Sequence, residues 1–195
     1  LPSWLGLPSI HTRHWDPFFQ ACEETSTVLA MHIGSGTKTV TTSPDAPTVV
    51  AANLIACNSV ASMVDWLFSG VFDRFPGIQL LYAESQIGWI PYFVERADDT
   101  WQTHQWAQGE ERSQRPPSDY YREHISACFF KDTVGIDLLD RIGEDNVLFE
   151  TDYPHQDGTF PRSKQVAEEL FGHLPQPTIN KIARGNAIKL LGLDF

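Results

Sequence analysis

A chain of 195 residues with 42% apolar, 12% aromatic and 20% charged side chains is long enough to bury a hydrophobic core and carries no segment of disordered composition. Its formal net charge of -11 argues against a phosphate-binding surface, which needs clustered Lys and Arg, so neither nucleic acid nor an anionic membrane is expected as a partner. Cys22, Cys57 and Cys128 show no disulfide or zinc-knuckle spacing, no run approaches the roughly 18 apolar residues of a transmembrane helix, and no targeting segment is visible, so a reducing cytoplasm is the expected compartment.

The Asp16-Pro17 pair opens a first helix, with Asp as N-cap and Pro at the first helical position. Residues 28–32 read as a strand ending at His32, and 48–75 as a helix that Pro76-Gly77 terminates. A second strand, 78–84, ends at Glu84 and leads into a helix over 88–106, followed by the most loop-like segment, 108–118. Residues 125–130 form a third strand and 135–142 a helix, closed by Gly143-Glu-Asp-Asn146. The last strand, 147–152, carries Asp152 and breaks off at Pro154 before a helix over 163–170. The strands lack polar alternation and each is followed by a crossover-length helix, which predicts a parallel sheet covered by helices in one domain spanning 1–195.

Chemistry-bearing residues gather at one end of that sheet. His32, Glu84 and Asp152 all close their strands at the C-terminal edge, where active sites of α/β barrels and doubly wound sheets lie. An imidazole nitrogen and a carboxylate oxygen converging there predict a divalent-metal site, zinc being the expected ion. His32 is the candidate nitrogen ligand, with Gly34 and Gly36 removing side chains beside it; the competing reading is a strand-end histidine bonded to backbone. Asp152 is a candidate ligand or the base that takes a proton from water; otherwise it caps a turn. Glu84 either reaches the metal or a water, or caps the helix near Gly88.

Around these, Glu150 shares strand parity with Asp152 and needs a partner in the same interior, and His155 is expected to line the substrate pocket. His124 enters its strand rather than leaving it and belongs to the stability face. Trp66, Trp89, Tyr92 and Trp101 recur at helical spacing and read as packing. A nucleophile elbow, a phosphate-binding glycine loop and a dinucleotide fingerprint are all missing from the sequence.

Five segments resemble the amidohydrolase superfamily, in the branch of aminocarboxymuconate-semialdehyde decarboxylase and related metal-dependent hydrolases. They are His14-Trp-Asp-Pro-Phe-Phe19, Met31-His-Ile-Gly34, the run from Ala83 to Asp98, Glu150-Thr-Asp-Tyr-Pro-His155, and the closing run from Ile182 to Gly192. The resemblance implies a TIM-type (β/α)8 barrel of which this chain supplies the C-terminal half, strands five to eight. It makes His32 the metal-binding histidine of the fifth strand and Asp152 the aspartate of the eighth. Glu84 stands where decarboxylases of this branch carry a catalytic histidine. The first-strand His-x-His ligands have no counterpart, and Leu1-Pro-Ser-Trp resembles the loop after a fourth strand, so the N-terminal strands are expected to be missing. Four strands leave open edges, which predicts a fragment, a homo-oligomer or a complementing half-barrel chain. The implied function is metal-dependent hydrolysis of a small-molecule substrate. The alternatives are nonoxidative decarboxylation, a catalytically incompetent association module, and a doubly wound α/β binding protein.

Overall fold

The computed structural model describes residues 6–33, 40–109 and 113–194; Gly34, Gly36 and the opening Leu1-Pro-Ser-Trp lie outside them. Four strands, β1 (Leu29–His32), β2 (Leu80–Ala83), β3 (Ile125–Phe129) and β4 (Val147–Phe149), form one parallel sheet in the order β1-β2-β3-β4. Each crossover leads to the immediate neighbour, as in a barrel. A doubly wound sheet would reverse direction at a switch point, and this one does not, which removes that alternative.

The register explains the burial. Leu29 pairs with Leu80, Leu80 with Ile125 and Ala127 with Val147, so Leu29, Leu80, Ile125 and Val147 share a face with Met31, Tyr82, Ala127 and Phe129. That face packs into the helical layer with Phe19, Met63, Trp66, Phe72 and Phe171. The opposite face carries Ala30, His32, Leu81, Ala83, Ser126, Cys128 and Leu148, and continues upward to Glu150.

The helices depart from expectation in informative ways. α1 (Asp16–Glu24) begins one residue early, and Asp16 does not cap it; its carboxylate meets Arg74 at 3.2 Å. The single helix expected over 48–75 is three: α2 (Thr48–Leu54), α3 (Ala56–Leu67) and α4 (Val71–Arg74), the last entered through Gly70 at φ +68°. Thr48–Leu67 is long and apolar enough, by composition, to cross a membrane, which corrects the sequence expectation of no such run. Its Met63, Trp66 and Leu67 are nonetheless buried in this core. α5 (Ile90–Thr103) follows β2, and α6 (Pro117–His124) occupies ground expected to be loop and strand approach. The helix expected over 135–142 is split into α7 (Thr133–Asp137) and α8 (Leu139–Ile142), and α9 (Ser163–Phe171) lies where expected.

The lower edge of the sheet is sealed by polar side chains that satisfy strand-entry carbonyls. α10 (Gln176–Asn180), a π-helical turn and α11 (Asn186–Leu191) close the chain, and Asn186 donates to the carbonyls of Glu144 and Val147 at 2.7 and 2.8 Å. His124 Nδ1 contacts the Ile78 carbonyl at 2.9 Å beneath the stacked Phe72 ring, a structural role as expected. With this edge fixed, the upper edge is free to carry chemistry.

Candidate metal centre

His32 is the last residue of β1 and stands opposite Ala83, so Glu84 is the next residue above the rim on the neighbouring strand. Glu84 and Asp152 both leave their strands in the left-handed region, at φ +57° and +53°. Side chains rarely adopt that conformation, and it persists only where surrounding contacts impose it. For Glu84 the contact is its own N–H, which donates to Glu150 Oε1 at 2.9 Å. For Asp152 it is a tight turn, in which the Asp152 carbonyl accepts the His155 N–H at 2.9 Å and Thr159 N–H returns to the Thr151 carbonyl at 2.9 Å. A Cβ at Gly158 would fall 2.6 Å from the Asp152 carbonyl oxygen, so only glycine closes this turn.

These turns bring donors together. Ligand atoms of Glu84, Asp152 and His155 all lie within 4.8 Å of one another. His155 Nδ1 is 2.6 Å from Asp152 Oδ1 and 3.5 Å from Glu84 Oε1. On the other flank, His32 Nε2 is 2.8 Å from the same Glu84 oxygen, and its Nδ1 is 2.6 Å from the Ile33 carbonyl. Glu84 therefore sits between two imidazoles. With Ile33, Phe130, Gln156 and Asp157, the trio lines a cavity of about 260 Å³. The Asp152 side chain is 6% exposed and that of His155 60%, so one end of the pair is sealed and the other meets solvent.

Electrostatics follow from crowding three carboxylates. Burial pushes the Glu150 carboxyl up to about 7, with the charges of Glu84 and Asp152 adding to the effect and the Glu84 N–H and Cys128 thiol opposing it. The hydrogen bond that His155 donates to Asp152, reinforced by the Asp152 and Glu84 charges, raises His155 above its usual value. Burial raises the Cys128 thiol well above its ordinary range, so it is not a nucleophile. Two carboxylates and an imidazole around one point, with negative charge in excess, make a donor set that fits a divalent cation.

The sequence reading paired His32 with Asp152 as ligands and gave His155 to the pocket wall. The structure places all four of His32, Glu84, Asp152 and His155 on one rim. It groups His155 with Asp152 and Glu84, and His32 reaches that group through Glu84. Glu150 is held beneath as expected. Sequence reasoning missed Asp132, which binds the loop after β2 from the loop after β3; the run Asp132-Thr-Val-Gly135 signals a helix cap but not a contact 45 positions away.

A family model described as Amidohydrolase matches residues 1–193. Among solved structures, 5-carboxyvanillate decarboxylase from Sphingomonas paucimobilis is 19% identical with a TM-score of 0.75, over 96% of this chain and 56% of that one. An amidohydrolase from Mycobacterium avium subsp. paratuberculosis is 22% identical with a TM-score of 0.75, over 94% and 47%. A dihydroxybenzoic acid decarboxylase from Polaromonas sp., solved with bound manganese and the inhibitor 2-nitroresorcinol, is 18% identical with a TM-score of 0.71, over 95% and 55%. The chain thus spans about half the length of these structures, and its four consecutive βα units correspond to half of their (β/α)8 barrel. The chain belongs to the amidohydrolase family.

Proposed function

We propose that this amidohydrolase-family chain holds a divalent cation, zinc or manganese, on Glu84, Asp152 and His155 with His32 alongside, and serves metal-assisted hydrolysis of a small-molecule substrate in a reducing cytoplasm. The observation that carries the reading is the convergence of Glu84, Asp152 and His155 within 4.8 Å, inside a cavity at the C-terminal rim. A bound divalent ion would supply Lewis acidity, polarising a carbonyl and acidifying water. Asp152, nearly sealed from solvent, would hold the ion or take a proton from water, and the exposed His155 beside it would complete the donor group or, left off the ion, pass that proton to solvent. Glu84 orients water from the opposite side, its carboxylate fixed by His32.

Nonoxidative decarboxylation is the second reading. It is favoured by the reactions named for the Sphingomonas and Polaromonas structures. Hydrolysis is placed first because, by the resemblance, Glu84 stands where decarboxylases of this branch carry a catalytic histidine. The edges at β1 and β4 are proposed to be covered by further strands, from a second copy or a complementing half-barrel chain.

Equilibrium dialysis of the full chain against Zn2+ and Mn2+, with Glu84→Gln and Asp152→Asn as controls, tests the site. One ion per chain, bound more weakly in both variants, supports it; an unchanged affinity in both variants removes it. Carbon dioxide release from aromatic acids, set against cleavage of amides and lactones, separates the two reactions.

A further inference from the structure

We propose that Asp132 is a positioning residue that sets where Glu84 presents its carboxylate; this rests on the metal-site reading above. Asp132 precedes α7, and capping that helix occupies only one of its oxygens, Oδ1, which accepts the Gly135 N–H at 2.8 Å. The other oxygen leaves the helix altogether. Oδ2 accepts the N–H groups of Ile87 and Gly88 at 2.7 and 2.6 Å, in the loop that follows β2.

That loop is where Glu84 stands. Only Ser85 and Gln86 separate Glu84 from Ile87, and Glu84 and Gln86 are both left-handed, at φ +57° and +56°. Two left-handed residues flanking a fully buried serine are not a conformation that the segment would adopt unaided. Pulling Ile87 and Gly88 onto one carboxylate oxygen fixes the downstream end of the turn, while Glu150 fixes its upstream end at the Glu84 N–H. Gln86 adds a weaker tie to the same neighbour loop, its Oε1 accepting the Phe130 N–H at 3.4 Å.

The glycines around Asp132 fit this role. A Cβ on Gly88 would lie 2.9 Å from Asp132 Oδ1, and a Cβ on Gly135 would lie 2.3 Å from Ile87 Cγ1. Both positions are bare so that the two loops can close on the carboxylate. A cap alone requires neither.

The test is a double-mutant cycle read by Mn2+ affinity, using the electron paramagnetic resonance signal of the free ion and the full chain. Asp132→Asn keeps the size of the side chain but replaces one accepting oxygen with a donor. It should weaken Mn2+ binding by about ten- to a hundredfold when Glu84 is present, as loss of an orienting partner does at metal sites, and by less than about twofold in the Glu84→Gln background. Gly88→Ala, which displaces Asp132 without altering its charge, should show the same dependence on Glu84, and it stands in if Asp132→Asn does not fold. Equal losses with and without Glu84 would overturn the positioning role and leave the metal site intact. Absence of Mn2+ binding in the unsubstituted chain would overturn both.

Discussion

His32 Nε2 lies 2.8 Å from Glu84 Oε1, across the β1–β2 pair, while His32 Nδ1 lies 2.6 Å from the carbonyl of Ile33. A carbonyl only accepts, so Nδ1 carries the proton in that contact, and in a neutral ring Nε2 then faces the carboxylate with a lone pair. A proton or a cation has to sit between them. The same geometry serves a metal site, because the backbone carbonyl fixes the ring and aims the free nitrogen.

It follows that the two histidines should not weigh equally in metal binding. His155 belongs to the compact donor group with Asp152 and Glu84, whereas His32 touches that group through Glu84 alone. In titration calorimetry with Zn2+, His155→Ala should weaken binding by about tenfold or more, and His32→Ala by less. The reverse order would make His32 the principal nitrogen ligand, as the sequence pattern first suggested.

Glu150 should matter as an acceptor more than as a charge. It accepts the N–H of Glu84 from a partly buried position and is crowded by two other carboxylates. Glu150→Ala leaves that N–H unsatisfied and should cost about 1–3 kcal/mol of stability, since an orphaned buried donor loses its full hydration. Glu150→Gln retains an accepting oxygen and removes the repulsion. In urea denaturation of chelator-treated protein, the Gln variant should match or exceed the unsubstituted chain; a loss equal to that of Ala would mean the carboxylate charge itself is required.

Much of this site could be read from residue order because it depends on where strands end. Short apolar runs stopping at His32, at Glu84 and just before Asp152 already put three donors on one rim, and the parallel crossovers put that rim on one side. What could not be read was local chain direction. Asp152 lies three residues beyond the last paired residue of β4, in a left-handed turn that swings His155 back onto it. Uniformly apolar composition concealed the breaks at Ile55 and Gly70, since hydrophobic periodicity does not register a turn between two apolar helices. α6 was missed because Pro116-Pro117 reads as a loop. The second proline instead sits in the first turn of the helix, where its missing N–H costs nothing.

Asn186 anchors the C-terminal helices to the entry of β4. Its side chain is 6% exposed and its amide donates to two carbonyls, those of Glu144 and Val147. Asn186→Leu keeps a similar volume but leaves both carbonyls without that donor. The expected loss is about 1–3 kcal/mol, a fall in Tm of roughly 2–4 °C per kcal/mol for a chain of this size. Calorimetry showing an unchanged Tm would mean that water replaces the amide at this edge.

His124 should give the fold a dependence on mild acid that is independent of the metal site. Its ring is 3% exposed and stacks on Phe72 at 4.4 Å, and its Nε2 has no hydrogen-bond partner among the described residues. The charged groups nearest it are Glu123, whose Oε2 is 3.7 Å from Nε2, and, acting at longer range, Arg115 and Asp73. Burial outweighs the Ile78 hydrogen bond and the Glu123 charge, and lowers the ring below its ordinary value of 6.5. The sign then follows: the unfolded chain takes up the proton more readily than the folded one, so stability is full above 6.5 and is lost as pH falls from there through the lowered folded value. His124→Asn, whose amide can still donate to the Ile78 carbonyl, has no proton to take up in this range. Urea midpoints measured from pH 8 to pH 5 in chelator should therefore fall less steeply in the variant than in the unsubstituted chain, the two curves separating only below about 6.5. Parallel curves would show that His124 takes up its proton at the same pH folded and unfolded, the Glu123 carboxylate offsetting burial against Phe72.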